Sequence, residues 1–279
     1  RPMKKNERAA AIVRTIVVSL IAVLFVVPLV WMVLSSLKTA PEVFARPFHW
    51  LPARVQWQNY ATVWMNEEAS MLRAFANTLY IALFSIIGQM FISSLAAYSF
   101  AKINFKGKQV VFMLFLSSMM VPSQLTIIPR FMLFKTIGLY NNLWAIILPA
   151  FFGATSIFML RQFYMGLPND LIEAAKIDGA GHLRIFLRIM LPLTKAALMS
   201  LIILAFISSW NEYMAPLIFL VKKELYTVSQ NIQWYMLDEF KEHNLTMAAA
   251  TSAIVPVVIL FIVGQKYFVE GIATSGVKG

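Results

Sequence analysis

The chain contains no cysteine, which excludes disulfides and thiolate metal sites. Charge is scarce as well: 13 % of the 279 residues are charged, about half the ~25 % of an ordinary soluble domain, whereas 59 % are hydrophobic. A soluble protein of this make-up would precipitate, so the class is an integral membrane protein. No G-x-x-x-x-G-K-S/T phosphate loop occurs, and the chain therefore cannot itself hydrolyse ATP in the manner of a P-loop enzyme. There is no H-E-x-x-H, and His49, His182 and His243 lie far apart in different loops, so neither a metal cluster nor a catalytic triad is indicated. No motif that reads DNA or RNA is present, and the net charge of +11 is better explained by cations flanking membrane spans.

What is present is a set of long apolar runs. Six stretches are almost free of charge and long enough for a bilayer core of about 30 Å, which takes ~20 helical residues. They cover 15–37, 74–101, 109–129, 136–160, 196–221 (interrupted by Glu212) and 244–265. The first follows a basic start, as a signal peptide does, but it is too long and no small-x-small site follows; it is expected to be a retained span. Six spans put both termini on one side. With that side cytoplasmic, 15 of the 24 Lys and Arg residues fall inside, as the positive-inside rule requires. Pro122 and Pro129 interrupt the third span and permit a kink. Gly88, Ser93, Ser94, Ala96 and Ala97 give the second a small-residue face for close packing.

One acidic group lies inside a span: Glu212, in the run Trp210-Asn211-Glu212-Tyr213. A carboxylate at depth costs ~3 kcal/mol or more unless partnered or wet, so it defaults to function. Trp210 and Asn211 suit a sugar, which binds by stacking and by hydroxyl hydrogen bonds. These four are the candidate substrate-pathway residues; a wet position near the span's outer end, or a gating or interface role for Glu212, stands beside that reading.

Between spans four and five lies a polar and small-residue segment set inside an otherwise apolar sequence. Pro168-Asn169-Asp170 ends the preceding helix, and Asp170 with Glu173 has the D-x-x-E form of a helix start. Leu171, Ala174, Ala175 and Asp178 share one side, a mostly small face that another surface could approach closely. Gly179 ends this helix as a residue tolerant of left-handed backbone. Leu183, Phe186, Ile189 and Met190 then recur at helical spacing against His182, Arg184 and Arg188, predicting a second amphipathic helix closed by Pro192.

Glu173, Ala174, Ala175, Gly179, Ile189, Leu191 and Pro192 fill every position of E-A-A, three residues, G, nine residues, I-x-L-P. The segment resembles the EAA motif of permease subunits of ABC importers. The first external loop, 38–73, with Pro41, Pro47, Trp50, Pro52, Trp57, Asn59, Tyr60 and Trp64, is similar to that of carbohydrate-uptake permeases resembling the smaller maltose permease subunit. From the residues alone that loop reads as an interfacial aromatic belt or as a contact surface for an external partner.

The resemblance implies an all-α integral membrane protein of the type I ABC importer permease fold: six transmembrane helices with cytoplasmic coupling helices in a multi-pass inner-membrane subunit, termini cytoplasmic. It implies one permease domain over 1–279, with spans two to six in 74–268, an EAA coupling segment at 168–192 and an external loop at 222–243. Coupling to an ATPase is implied for Glu173, Ala174, Ala175, Asp178, Gly179, Ala180, Ile189, Leu191 and Pro192. Contact with an extracytoplasmic solute-binding protein is implied for Gln230, Asn231, Gln233, Trp234 and Tyr235, and the G-x-x-x-x-G-V-K-G tail from Gly271 is expected to enter the ATPase interface. The implied partners are a second homologous permease, two ABC ATPases that bind the ATP and Mg, the binding protein and lipid, with no cofactor in this chain and no nucleic acid. The implied function is import of a sugar, an oligosaccharide being expected. The alternatives are a non-sugar solute, or a membrane scaffold or sensor that binds a cytoplasmic ATPase. A secondary transporter or channel would show paired intramembrane charges or internal repeats, and neither is visible.

Overall fold

The computed structural model describes residues 5–237 and 242–276, and every regular element among them is helical. Their packing forms two units, one running to Met71 and adding Asn231–Val255, the other comprising Leu72–Gln230 and the chain from Pro256 onward.

In the first unit, α1 (Lys5–Ser36) leads into α2 (Ala40–Val43) and α3 (Gln58–Met65). The stretch Ala11–Ser36 has a mean hydropathy of 2.9 and is buried nowhere in its most apolar window, as befits a helix that meets acyl chains on all sides. Beyond it the chain is fastened by polar groups. Lys38 is buried and donates Nζ to the His49 carbonyl, while Asn59 Nδ2 donates to the carbonyls of Ser36 and Lys38, both at 2.8 Å. Backbone that belongs to no helix must find partners elsewhere, and these two side chains supply them. Phe44, Phe48, Trp50 and Trp57 point outward instead. Glu42 receives the Thr39 N–H and hydroxyl at 2.8 and 2.9 Å, and these bonds hold its carboxyl below the usual carboxylate range.

The second unit is built on α4 (Met71–Lys102), whose 32 residues make a rod of roughly 48 Å. Its small face is used: Ser93, Ser94 and Ala97 are buried, and a Cβ on Gly88 would lie 2.2 Å from the Phe151 ring. The expected third span is broken. α5 (Lys108–Ser117) runs through a 3₁₀ turn at Ser118–Met120, and α6 (Ser123–Thr136) leaves at 96°. The cause is Pro122, which lacks an N–H and forces Val121 out of helical backbone to φ −84°, ψ 114°. Pro129, by contrast, sits inside α6 without ending it.

The fourth span starts later than its hydropathy suggests. Thr136 still belongs to α6, and a turn through Gly138 and Asn141, both at positive φ, precedes α7 (Trp144–Ala150) and α8 (Ala154–Gly166). After α9 (Asp170–Ile177) and α10 (His182–Ile185), a π-helical turn (Phe186–Met190) and α11 (Leu191–Leu193) lead to a 76° bend into α12 (Lys195–Trp210). The expected fifth span therefore ends before Glu212, and α13 (Met214–Phe219) is a separate short helix. The chain then forms α14 (Val228–Tyr235) and α15 (His243–Gly276). Among the described residues four helical spans are long and apolar enough to cross a membrane, one of them α7 with α8, or six if each bent pair counts as one. Residues 271–276, expected as a loose tail, continue α15, while 277–279 lie outside the described residues.

Candidate functional site

The second unit holds two unusual places, and the first is the helix pair after α8. Asn169, not Asp170, precedes α9, and its side chain makes no cap; Oδ1 instead accepts from Lys102 Nζ at 2.7 Å. The same ammonium donates to the Leu167 carbonyl, also at 2.7 Å, so the last turn of α4 grips the start of the segment. At the other end Gly179 takes φ 74°. Its N–H bonds Lys176 O at 3.0 Å and the Ala180 N–H bonds Ala175 O at 2.9 Å, the paired bonds of a Schellman motif.

The two helices have a buried and an open side. Ile172, Ala175, Ile185, Phe186 and Met190 enter one apolar core with Tyr98 of α4, Tyr164 of α8 and Leu201 of α12. Glu173, Ala174, Asp178, Gly179 and Pro192 face outward, and Ala180, Ile189 and Leu191 are half-buried. The buried stripe of the second helix is thus Ile185, Phe186 and Met190. Leu183, expected on it, is 66 % exposed, and beyond it the run widens to π geometry ahead of Pro192, which has no N–H to continue the α register. Ile177 is 87 % exposed and Leu187 is open as well. Tyr98 Oη lies 3.1 Å from His182 Nδ1, a side-chain link from α4 to the second helix.

The second place is a cavity of about 440 Å³ walled by α4, α6, the α7–α8 junction, α12 and the break after it. Gln89, Gln124, Arg130, Ser208, Ser209 and Glu212 give it a polar wall in an otherwise apolar part of the chain, and Phe152 adds an exposed ring. Gln89 is held by Ser156, whose Oγ accepts its Nε2 at 3.0 Å. Glu212 receives the Ala215 N–H on Oε1 at 3.0 Å. Arg130 Cζ lies 4.9 Å from the Phe219 ring centre, and its buried Nε has no hydrogen-bond acceptor among the described residues.

Of the four expected pathway residues only Glu212 lines this cavity. Trp210 is buried against Phe206 (stacked, 5.4 Å) and edge-on to Phe75, so its faces are occupied. Asn211 Nδ2 closes on the Ile207 carbonyl at 2.8 Å, and Tyr213 is half-buried outside the cavity wall. The helix break sends consecutive side chains in different directions, which a continuous span would not do. Arg130, which directly follows the expected third span, 109–129, is the residue that the expected pathway set lacks. Its signal was a charge directly after Pro129 and eight residues past the break at Pro122.

The residues expected to reach a binding protein are mostly inward. Gln230 Nε2 donates to the carbonyls of Pro216 and Leu220, both at 3.1 Å, and Asn231 Nδ2 donates to Ala69 O at 2.9 Å. Tyr235 is buried with its hydroxyl on Val63 and Ala69 carbonyls. Gln233 is exposed and Trp234 half-buried, and residues 238–241 of that loop lie outside the described residues. Among the described residues no three His, Asp or Glu side chains gather to hold a metal ion.

Residues 89–274, which include the helix pair and all of the cavity's lining but Ser85 and Ile86, match the family described as binding-protein-dependent transport system inner membrane component. The chain belongs to that family. The arabinooligosaccharides transport system permease protein AraQ of Bacillus subtilis is 33 % identical to this inner-membrane component over 267 residues, covering 95 % of each chain. The diacetylchitobiose uptake system permease protein NgcG of Streptomyces coelicolor is 28 % identical, covering 95 % of this chain and 88 % of its own. The fold matches a crystal structure of a bacterial ABC transporter involved in import of the acidic polysaccharide alginate, with a TM-score of 0.84 at 23 % identity, covering 96 % of this chain and 99 % of that one. The family is one of transport components, not of enzymes.

Proposed function

We propose that this chain is one of two permease subunits in an ATP-driven importer that takes a sugar, an oligosaccharide, from a solute-binding protein. The observation that carries the reading is the two-sided coupling segment. Its inner side is part of the core shared with α4, α8 and α12, and its outer side leaves Ile177, Leu183 and Leu187 in the open. Exposed apolar groups on an anchored helix pair suit a docking partner, here an ABC ATPase. Glu173, Ala174, Asp178 and Gly179 would line the contact. With the segment cytoplasmic, both termini are cytoplasmic too, and closure of two ATPases would move α9 to α11 and, through the shared core, the spans.

A second, homologous permease completes the pathway in this reading, so the cavity is half of a larger route. Gln233 and Trp234 are the side of α14 left for the binding protein, and the tail from Gly271 would reach the ATPase interface. Sugar as the solute rests on the named transport roles of the relatives and on the hydroxyl- and amide-lined cavity.

The test is co-purification with the ATPase subunit in one detergent, comparing the native chain with Gly179→Pro and Glu173→Lys. Loss of the ATPase with the spans still folded is the expected result. Sugar transport by the permeases without any ATPase would sink the proposal.

A further inference from the structure

The cavity carries one charged group of each sign, and neither is used up by the protein. Arg130 rests its guanidinium near the Phe219 ring and leaves a buried Nε without an acceptor. Glu212 commits Oε1 to the Ala215 N–H, where it closes the gap between α12 and α13. They approach from different elements, Arg130 on α6 and Glu212 in the break after α12, and both face the same space. A purely structural Arg and Glu in such a place would be expected to satisfy the guanidinium donors, because a buried donor without a partner is costly. Here the Nε stays buried, while Arg130 and Glu212 as residues both line a space large enough for a solute group.

We propose that Arg130 and Glu212 make this cavity selective for neutral polyhydroxylated solutes over charged ones. The inference rests on the importer reading above and adds what the pathway accepts. A hydroxyl both donates and accepts, so one sugar residue can take a hydrogen bond from Arg130 and give one to Glu212 without bringing charge of its own. A uronate gains Arg130 but meets the Glu212 carboxylate; an amino sugar gains Glu212 and meets the guanidinium. Like charges brought together in a poorly screened space are the repulsive half of specificity. Gln89 and Gln124 supply further neutral donors and acceptors, and Phe152 offers a ring face for the apolar side of a pyranose.

The experiment uses the assembled permeases and ATPases in detergent, titrated calorimetrically without binding protein, so that the binding protein's own preference does not enter. The probes are a neutral hexose trisaccharide and a trigalacturonate. Wild type is expected to prefer the neutral sugar. Glu212→Gln, which keeps an oxygen for Ala215, is expected to raise trigalacturonate affinity about tenfold and leave the neutral sugar within threefold, the range of a hydrogen bond to a charged group. Arg130→Gln should lower neutral-sugar affinity about tenfold, and Arg130→Lys should restore most of it. If wild type binds both probes and all three variants keep its ratio between them, this inference falls alone. A wild-type assembly that binds neither saccharide overturns the importer reading and this inference with it.

Discussion

The segment proposed to couple to an ATPase and the cavity are both polar intrusions into an apolar chain, yet they are built in opposite ways. The segment is one consecutive stretch, 170–193, whose residues are ordered by local rules: an acidic first turn, a glycine at positive φ and a proline that alters the helix register. The cavity is assembled from residues as distant as Gln89 and Glu212, and its walls exist only because two helices break. A local device can be read from spacing, whereas an assembled one depends on where the breaks point. The first therefore should fail when its own faces are exchanged, and the second when helix packing far along the chain is disturbed.

The largest expected effect tests the two faces of α9. Ala175 is buried in the core with Tyr98 and Met190, so Ala175→Glu places an unpaired carboxylate there and should destabilise the protein by more than about 3 kcal/mol. Ala174→Trp, one residue away and outward, should keep the melting temperature within a few degrees and abolish co-purification of the ATPase. Thermal unfolding followed by size exclusion, run beside the pull-down, separates the two. Equal loss of stability in both would mean that the segment has no open face.

Next comes a change behind the cavity's wall, beside the lining residues Gln89 and Phe152, that leaves its polar groups in place. Gly88→Ala drives a methyl to 2.2 Å from Phe151, and the ring must shift. Overpacking of this kind costs about 1–3 kcal/mol. Solute-stimulated ATP hydrolysis should fall while ATPase binding persists, because the polar contacts that hold the segment come from the C-terminal end of α4, at Tyr98 and Lys102. Loss of ATPase binding instead would join the two regions more tightly than their packing suggests.

How much of this was legible in the sequence follows the same division. Apolar runs located the spans, and Pro122 marked the place where α5 and α6 part, though not the 96° between them. Gly179 adopts the backbone expected of it. Trp210 was expected to face a sugar and is instead packed on Phe206, and Gln230, Asn231 and Tyr235 were expected outside and are inside. Polar and aromatic side chains are chosen as often to satisfy orphan carbonyls or fill a core as to meet a ligand, and only the tertiary partners tell which. Arg130 was hidden for the converse reason: a cation near a predicted span end is ordinarily a loop residue.

Tyr235 gives a comparison outside both regions. Burial, and then the charge of Glu242, push its phenol up to about 12. A group whose folded value is raised contributes stability that is present below its unfolded value, near 10, and is lost as pH rises through 12. Melting temperature should therefore be insensitive to this group at neutral pH and decline between about pH 10 and 12, with Tyr235→Phe flattening that decline. A decline that survives Tyr235→Phe would assign the alkaline sensitivity elsewhere.

The smallest effect is the most informative about how the two regions speak to each other. Tyr98→Phe keeps the ring in the core and removes only the hydroxyl that lies 3.1 Å from His182 Nδ1. One such bond is worth about 1 kcal/mol, so folding and ATPase binding should be nearly unchanged. What should change is the solute moved per ATP hydrolysed, since the link joins α4, which walls the cavity, to the second coupling helix. His182→Phe should give the same ratio, and the double variant should be no worse than either single one, the non-additivity expected of two partners in one bond. If the two variants instead lower the ratio additively, the movement of the coupling helices reaches α4 through the apolar core of Ile185, Phe186 and Met190, and the polar link is only a fastening.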